Sequence, residues 1–181
     1  IQHSLAKGLN SSGDCNIDVN CPLGVGWDNE IRSVAMIVVN GNGICTGALI
    51  NNTCNDGTPY FLTANHCLGG STGSWAFRFN WESPPGTESC ATTAGSTDPG
   101  PPYDQTANGA TILTNSSASD YALLEINNMT LSDAQAWNCF FAGWDASDLT
   151  TVTEATGIHH PSGDVKKICR ENDSPFHSNA A

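Results

Sequence analysis

The chain has 181 residues and a formal net charge of −12, from 6 Lys and Arg against 18 Asp and Glu. A chain this acidic repels phosphate backbones and offers no polybasic stretch to anionic membranes, which argues against nucleic acid as a partner and against membrane insertion. No run approaches the roughly 20 apolar residues that span a bilayer. The 8 cysteines, without a Cys-x-x-Cys pair, favour disulfides and a secreted, extracellular protein over a zinc site.

Residues 1–14 are polar and show no apolar periodicity, which is typical of a propeptide tail or a linker. Beyond them, short β-branched or apolar runs alternate with turn signals, and each run predicts a strand. The run at 34–39 is closed by Asn40-Gly41, a strong hairpin signal because both central turn positions favour positive φ. The other predicted strands lie at 44–50, 60–64, 75–81, 110–114, 121–126, 139–144, 150–155 and 165–169.

Residues 83–108 are polar and rich in proline, so we expect a surface loop that does not pair as a strand. Residues 131–138 predict a short helical turn. Aromatic residues alternate along 75–81, which predicts that they share one buried face: Trp75, Phe77, Phe79 and Trp81. Many short strands without a sustained helical period predict an all-β barrel or sandwich.

A histidine stands at the end of one predicted strand. The stretch Thr63-Ala64-Asn65-His66-Cys67 follows an apolar run and precedes Gly69-Gly70, so His66 lies where the strand stops. A general base needs this placement, because a neutral imidazole must be held rigidly at the edge of a core and stay open to substrate. The alternative is a histidine that only neighbours a structural cysteine.

An aspartate heads another predicted strand, in the stretch Ser119-Asp120-Tyr121. A catalytic histidine needs a buried carboxylate on its far ring nitrogen, which sets the tautomer and compensates the imidazolium charge. Asp120 is the candidate for that carboxylate. The alternative is an aspartate that only caps a turn before its strand.

Taken together, these stretches resemble the trypsin- and chymotrypsin-like serine endopeptidases, most closely the bacterial lysyl endopeptidase branch. The matching segments are 13–22, 45–47, 60–67, 119–126, 142–145 and 158–161. The resemblance implies an all-β, trypsin-like double β-barrel, with the first barrel complete at 15–128. Residues 129–181 would supply the inter-barrel connection and only the opening strands of the second barrel. It also implies that His66 is the general base and Asp120 its orienting carboxylate.

The nucleophile of that family is a serine in a Gly-x-Ser-Gly-type loop, and these 181 residues contain no such loop. We therefore expect the serine in a C-terminal half of the same enzyme, a partner without which this part is inactive. The resemblance implies cleavage of protein or peptide substrates after Lys, or after Arg. The rival hypotheses are a catalytically inactive protease-like β-barrel that acts as an extracellular binding module, and a purely structural extracellular domain.

The resemblance also implies two disulfides, Cys45 with Cys67 and Cys21 with Cys90. The first would close a loop beside His66 and so tie stability to the geometry of the site. Loop-closure entropy makes a bridge of this span worth about 3 kcal/mol.

The remaining four cysteines leave the connectivity open. Cys54 and Cys139 are extra to the family pattern, and we pair them with each other. Cys15 and Cys169 are then expected to have no partner within these residues, because the cysteine that matches Cys15 in the family bonds to the C-terminal half. The alternative is a bond between Cys15 and Cys169.

No cofactor is expected, and the best metal candidate is weak. His159 and His160 are adjacent, and neighbouring strand residues point to opposite faces, so they do not converge on one ion. Good metal sites need three or more converging ligands, so a structural role is favoured for both histidines. Calcium in loops stays open for four acidic residues: Asp98, Asp104, Asp145 and Asp148.

Overall fold

The computed structural model describes residues 12–13, 15–41, 43–84, 86, 88, 90, 104–147 and 151–175. Its strands and helices in these ranges are β1 (Ile17–Asp18), α1 (Asp28–Ser33), β2 (Val34–Val39), β3 (Gly43–Ile50), β4 (Tyr60–Thr63), β5 (Ala76–Phe79), β6 (Thr106–Asn108), β7 (Ala110–Ser116), β8 (Tyr121–Ile126), α2 (Leu131–Ala136), β9 (Ala155–His159) and β10 (Lys167–Glu171). The two helices in this part of the chain are only six residues each. The prediction of an all-β fold is confirmed, and no described helix has the length and apolar character needed to cross a membrane.

Most of the strands form one antiparallel sheet in the order β6-β5-β2-β3-β4-β8-β7. Its two end strands are separated only by Gly109, so they are the two halves of one bent strand. The Gly109 amide donates to the Trp75 carbonyl at 2.8 Å, and the Gly109 carbonyl accepts from the Asn127 amide at 2.9 Å. The bent strand is therefore bonded on both sides, and the sheet closes into a barrel without free edges.

The bend at Gly109 depends on glycine. Its φ is +73°, in the left-handed region, and a Cβ there would lie 3.2 Å from the carbonyl oxygen of Gly73. Another close approach occurs at Gly47, where a Cβ would lie 2.2 Å from the ring of Phe61. Glycine at both positions lets the strands cross tightly enough to close the barrel.

The barrel interior is aromatic, as the alternation predicts. Trp75, Phe77 and Phe79 are buried in one core cluster, and Phe61 meets Phe77 edge to face with ring centroids 5.0 Å apart. Trp81 is also buried but lies in a second cluster, on the outer side of the barrel. All four aromatic side chains are therefore buried, but the last one, Trp81, packs outside the barrel core.

That second layer is a three-stranded antiparallel sheet in the order β1-β10-β9. It covers one side of the barrel, where Met36 and Val38 of β2 pack with Trp81 and Val165. Strand β2 is consequently buried on both faces, while Ala35 and Ile37 face the barrel core. The two sheets and the one closed barrel agree with a trypsin-like fold in which only part of the second barrel is present.

Local turn chemistry follows the sequence in several places. Asn40 and Gly41, between β2 and β3, have φ of 49° and 81°, as the hairpin signal predicts. The helical turn predicted at 131–138 is α2, which begins with a capping box: the Thr130 hydroxyl accepts from the Asp133 amide, and the Asp133 carboxylate accepts from the Thr130 amide.

Four element predictions differ from the structure. No strand forms at 139–144, where only a single bridge joins Ile50 to Ala142. The strand predicted at 150–155 is instead β9, and the one at 165–169 begins two residues later, as β10. Residues 83–108 are not entirely loop, since β6 pairs with β5 to close the barrel. Helix α1 was not predicted.

Two of the predicted disulfides are present, Cys45–Cys67 and Cys21–Cys90. The predicted bond between Cys54 and Cys139 is wrong, because both thiols are free. Cys54 is exposed in the turn after β3, whereas Cys139 packs half-buried against the barrel core, so their surroundings differ.

The last two cysteines, Cys15 and Cys169, are exposed free thiols that are not bonded to each other. Strand β1 pairs with β10 in the register Ile17↔Ile168, which places both cysteines at the outer end of the small sheet.

Candidate active site

His66 lies on a single 3-10 turn, Asn65–Cys67, directly after β4. Its neighbour Cys67 is bonded to Cys45 in the adjacent strand β3. The Thr63 hydroxyl donates to the Thr46 carbonyl at 2.8 Å, which fastens the end of β4 to the same strand. The backbone that carries the imidazole is therefore held covalently on one side and by a hydrogen bond on the other.

Asp120 ends the turn between β7 and β8, with a φ of +51°. Aspartate is among the few residues that tolerate this left-handed conformation, because its short polar side chain bonds locally. Strand β8 pairs with β4 in the register Thr63↔Ala122, so Asp120 comes to lie beside the turn of His66. The Asn65 amide donates to the Asp120 carbonyl at 3.1 Å, which joins the two turns directly.

The side chains of the two predicted site residues meet. The distance from His66 Nδ1 to Asp120 Oδ2 is 2.6 Å, and the backbone amide of His66 donates to Asp120 Oδ1 at 2.8 Å. The ring hydrogen bond, followed by the amide hydrogen bond, lowers the pKa of Asp120 from its usual value. Because an ionised carboxylate only accepts, Nδ1 carries the proton and Nε2 is left with the free lone pair.

The pair is open to solvent on its outer side. The side chains of His66 and Asp120 are 71% and 51% exposed, so the carboxylate is not buried as the sequence led us to expect. Nε2 is thus accessible from solvent, while Nδ1 is engaged in the hydrogen bond to Asp120. Chemically, the arrangement can take a proton at Nε2 and stabilise the resulting imidazolium through Asp120.

Two contacts that support the site were missed by sequence reasoning. Asn115 of β7 donates from Nδ2 to Asn65 Oδ1 at 2.7 Å, next to His66. The amide of His160 donates to the hydroxyl of Thr46 at 3.0 Å, which links the small sheet to the strand beside the site. No local signal identifies either contact, because both join segments that lie far apart in the sequence.

The other histidine candidates are structural. His160 is buried, stacks on Trp81 with ring centroids 6.1 Å apart, and bonds through Nδ1 to the Asp164 carbonyl at 2.9 Å. Burial, with the nearby Lys166 charge, lowers the pKa of His160 to about 3, and burial also lowers the pKa of half-buried His159. His160 is therefore neutral at physiological pH.

Metal binding finds little support in the described residues. The one group of three converging ligand atoms there comprises Cys45, His66 and Cys67, but both sulfurs belong to the disulfide and are not available as thiolates. Of the acidic loop residues considered for calcium, Asp98 and Asp148 lie outside the described residues.

A closed barrel beside part of a second sheet is the fold of the trypsin-like class of serine proteases. A solved structure of that class, the thermostable serine protease AL20 from an extremophilic microorganism, is similar to this chain with a TM-score of 0.51. The match covers 78% of this chain and 66% of that chain at 13% sequence identity, so the likeness concerns the fold alone.

The sequence comparison is more specific. The family described as lysyl endopeptidase, C-terminal domain, matches residues 9–181, and the chain belongs to this family. It is also similar to the lysyl endopeptidase of Pseudomonas aeruginosa, with 29% identity over 175 residues. That match covers 92% of this chain and 36% of the relative, so the chain spans about a third of the relative's length.

Proposed function

We propose that the protein is a secreted serine endopeptidase that hydrolyses peptide bonds after Lys, or after Arg, in protein and peptide substrates. The observation that carries the proposal is the 2.6 Å contact between His66 Nδ1 and Asp120 Oδ2 at the rim of a closed barrel. In this pair one ring nitrogen is oriented by a carboxylate and the other is open to solvent, which is the arrangement that a general base requires.

In the proposed mechanism, Nε2 of His66 accepts the proton of a serine hydroxyl as that oxygen attacks the scissile carbonyl. His66 then gives the proton to the leaving amine, while Asp120 holds the tautomer and compensates the imidazolium charge. The serine, the oxyanion-hole amides and the specificity pocket would lie in a C-terminal half of the same enzyme. Residues 15–128 form the first barrel in this proposal, and 129–181 form the connection and the opening strands of the second.

Substrate class and location rest on separate observations. The relative from Pseudomonas aeruginosa is named a lysyl endopeptidase, and the net charge of −12 favours cationic side chains in the substrate. The two disulfides support an oxidising, extracellular location, because such bonds persist outside the reducing cytosol.

The test uses the full-length protein and a serine-directed phosphonate probe. Wild-type protein should be labelled on one serine, and His66→Ala should reduce the labelling rate at least 100-fold, because the serine loses its general base. Gln135→Ala, an exposed change on α2, serves as the control and should be labelled like wild type. Labelling that survives His66→Ala unchanged contradicts the role of His66.

Substrate preference needs a second measurement. Three peptides that differ only in the residue before the scissile bond give the comparison. The peptide with Lys should be cleaved fastest, the one with Arg more slowly, and the one with Glu should not be cleaved. If the full-length protein carries no Gly-x-Ser-Gly loop and cleaves none of them, the inactive binding module replaces the enzyme as the better hypothesis.

A further inference from the structure

The lysines of this chain are few and unusually placed. The sequence contains Lys7, Lys166 and Lys167, and the last two form the only pair of adjacent basic residues. Lys7 lies outside the described residues, whereas the side chains of Lys166 and Lys167 are both 0% exposed. Lysine is almost never fully buried without a partner, so the burial of two in succession calls for a physical reason.

Lys167 is held inside the small sheet. It opens β10, the central strand, and pairs with Asp18 of β1 across the sheet. Its ammonium forms an ion pair with the buried Asp18 carboxylate and lies 3.7 Å from Asp164 Oδ2. Ser12 also donates to Asp164 Oδ2, from its hydroxyl at 2.5 Å and its amide at 3.2 Å. The N-terminal segment therefore contacts the ammonium of Lys167 through Asp18, and it contacts the second carboxylate, Asp164, through Ser12.

Lys166 is held by the barrel. Its Nζ donates to the Ile31 carbonyl at 2.7 Å and to Glu82 Oε1 at 2.9 Å. Its amide donates to the Trp81 carbonyl at 3.0 Å, so backbone and side chain are both engaged. Neither lysine can enter the pocket of a protease until the small sheet separates from its neighbours, because a protease binds its substrate as an extended segment with the specificity side chain free.

We propose that Lys166-Lys167 is a latent self-cleavage site, which the folded protein conceals and an opened copy exposes to the protein's own lysine-directed activity. The inference rests on the proposed function. In the cleavage, water adds its oxygen to the Lys167 carbonyl carbon, the bond to the Ile168 nitrogen breaks, and a carboxylate and an amine result. The cut divides β10, the central strand of the small sheet. It therefore inactivates opened copies of the protein and leaves closed copies intact.

The small sheet that buries the two lysines is held least firmly at β1. This strand has only two residues, and one of them, Asp18, is the ion-pair partner of Lys167. Loss of that carboxylate leaves a buried ammonium without its closest partner, which favours opening of the sheet. The surface pair Arg170–Glu154 joins β10 to the residue before β9 and is exposed, so its loss should not open the small sheet.

The closure is tested first with an unrelated lysine-specific endopeptidase added to full-length His66→Ala protein. Mass spectrometry should find no cut after Lys166 or Lys167 while a urea-unfolded sample is cut completely. Asp18→Asn should raise the rate of these cuts at least tenfold, and Ser12→Ala should raise it less. Glu154→Gln is the matched control and should match the parent. Cuts in the native parent at the rate of the unfolded sample overturn the proposal, as does an Asp18→Asn protein that resists as well as Glu154→Gln.

Self-cleavage is tested with Asp18→Asn in the otherwise active full-length protein. It should lose activity on storage, with fragments that end at Lys166 or Lys167, and a serine-directed inhibitor should prevent both effects. The milder Ser12→Ala variant serves if circular dichroism shows that Asp18→Asn has not folded. A variant that is cut by the added protease, is active on Lys peptides and yet never cuts itself refutes the self-cleavage site. Absence of any activity on Lys peptides refutes the proposed function instead, and the self-cleavage site with it.

Discussion

At the scale of single residues, Asp120 matters most. Its backbone adopts a left-handed conformation that points both carboxylate oxygens at His66, one to the ring and one to the amide. The sequence predicts the two residue types, and the contact spans 54 positions of the chain. It forms because β4 and β8 are neighbours in the barrel, which no local pattern near either residue specifies.

Asp120→Asn tests the orienting role directly. Asparagine keeps the shape but stabilises the wrong ring tautomer, so kcat of the full-length enzyme should fall by about 10³- to 10⁴-fold while KM changes little. Peptide hydrolysis by Asp120→Asn and by the exposed control Asp173→Asn gives the comparison. Equal rates for the two variants would show that Asp120 only caps its turn.

The hydrogen bonds to Asp120 also predict a dependence on pH. They lower the pKa of Asp120 in the folded state, so their contribution to stability is present above the unfolded pKa near 3.8 and is lost as pH falls through the folded value. The urea midpoints of wild type and Asp120→Asn should therefore differ most above about pH 5, and the difference should shrink as the pH falls below 3.8. A difference that stays constant over this range would mean that the carboxylate is not hydrogen-bonded.

The free thiols of Cys54 and Cys139, which the sequence led us to pair, should differ in reactivity. Burial raises the pKa of the Cys139 thiol to about 12, whereas Cys54 is exposed. Iodoacetamide at pH 8 should therefore modify Cys54 at least tenfold faster than Cys139, because the thiolate is the reactive form. Mass spectrometry of timed samples measures both rates, and a disulfide between the two would appear as protection of both until a reductant is added.

At the scale of elements, the turn after β9 shows how burial selects a charge state. His160 stacks on Trp81 and donates from Nδ1 to the Asp164 carbonyl, and its burial between these partners favours the neutral ring. The other groups that face it are Lys166, whose charge disfavours protonation, and its neighbour His159. The sequence indicates a structural role for His160, but it does not predict how completely the side chain is buried. The burial comes from packing between two sheets.

The neutral His160 should make the protein sensitive to acid. Its pKa is lowered to about 3 in the folded state, so between there and 6.5 the unfolded chain binds a proton that the folded protein does not. Stability should fall by up to about 1.4 kcal/mol per pH unit over that range. Guanidinium unfolding at pH 7, 6 and 5 measures the slope, which His160→Asn should reduce and His159→Asn should largely retain. Equal slopes for wild type and His160→Asn would exclude a buried neutral histidine.

At the scale of the whole molecule, the small sheet is fastened to the barrel by Lys166 and Trp81. The buried ammonium contacts both α1 and the segment after β5, so it joins three parts of the fold. The His66 turn lies on the barrel, and the proposed nucleophile would extend from the second sheet. Under the proposed function, correct docking of the two layers is a condition for catalysis, because small misplacements of reacting groups cost large factors in rate.

Lys166→Met should loosen that docking. It removes two charge-assisted hydrogen bonds but keeps the apolar stem, so the free energy of unfolding should fall by about 2 kcal/mol. Chemical denaturation of Lys166→Met, Glu82→Gln and the double variant forms a double-mutant cycle. The double variant should lose less than the sum of the single losses, whereas strict additivity would mean that the two side chains do not interact in solution.

The sequence alone determined the strand-rich class, most strand positions and the hairpin at Asn40-Gly41, and it singled out His66 and Asp120 as candidates, since residue type and short periodicity carry that information. Only the tertiary structure decided how the barrel closes at Gly109, that Cys54 and Cys139 stay apart, and that Lys166 and Lys167 are buried. These features depend on which distant strands become neighbours. That choice is a collective result of packing and backbone pairing, and no single window of sequence contains it.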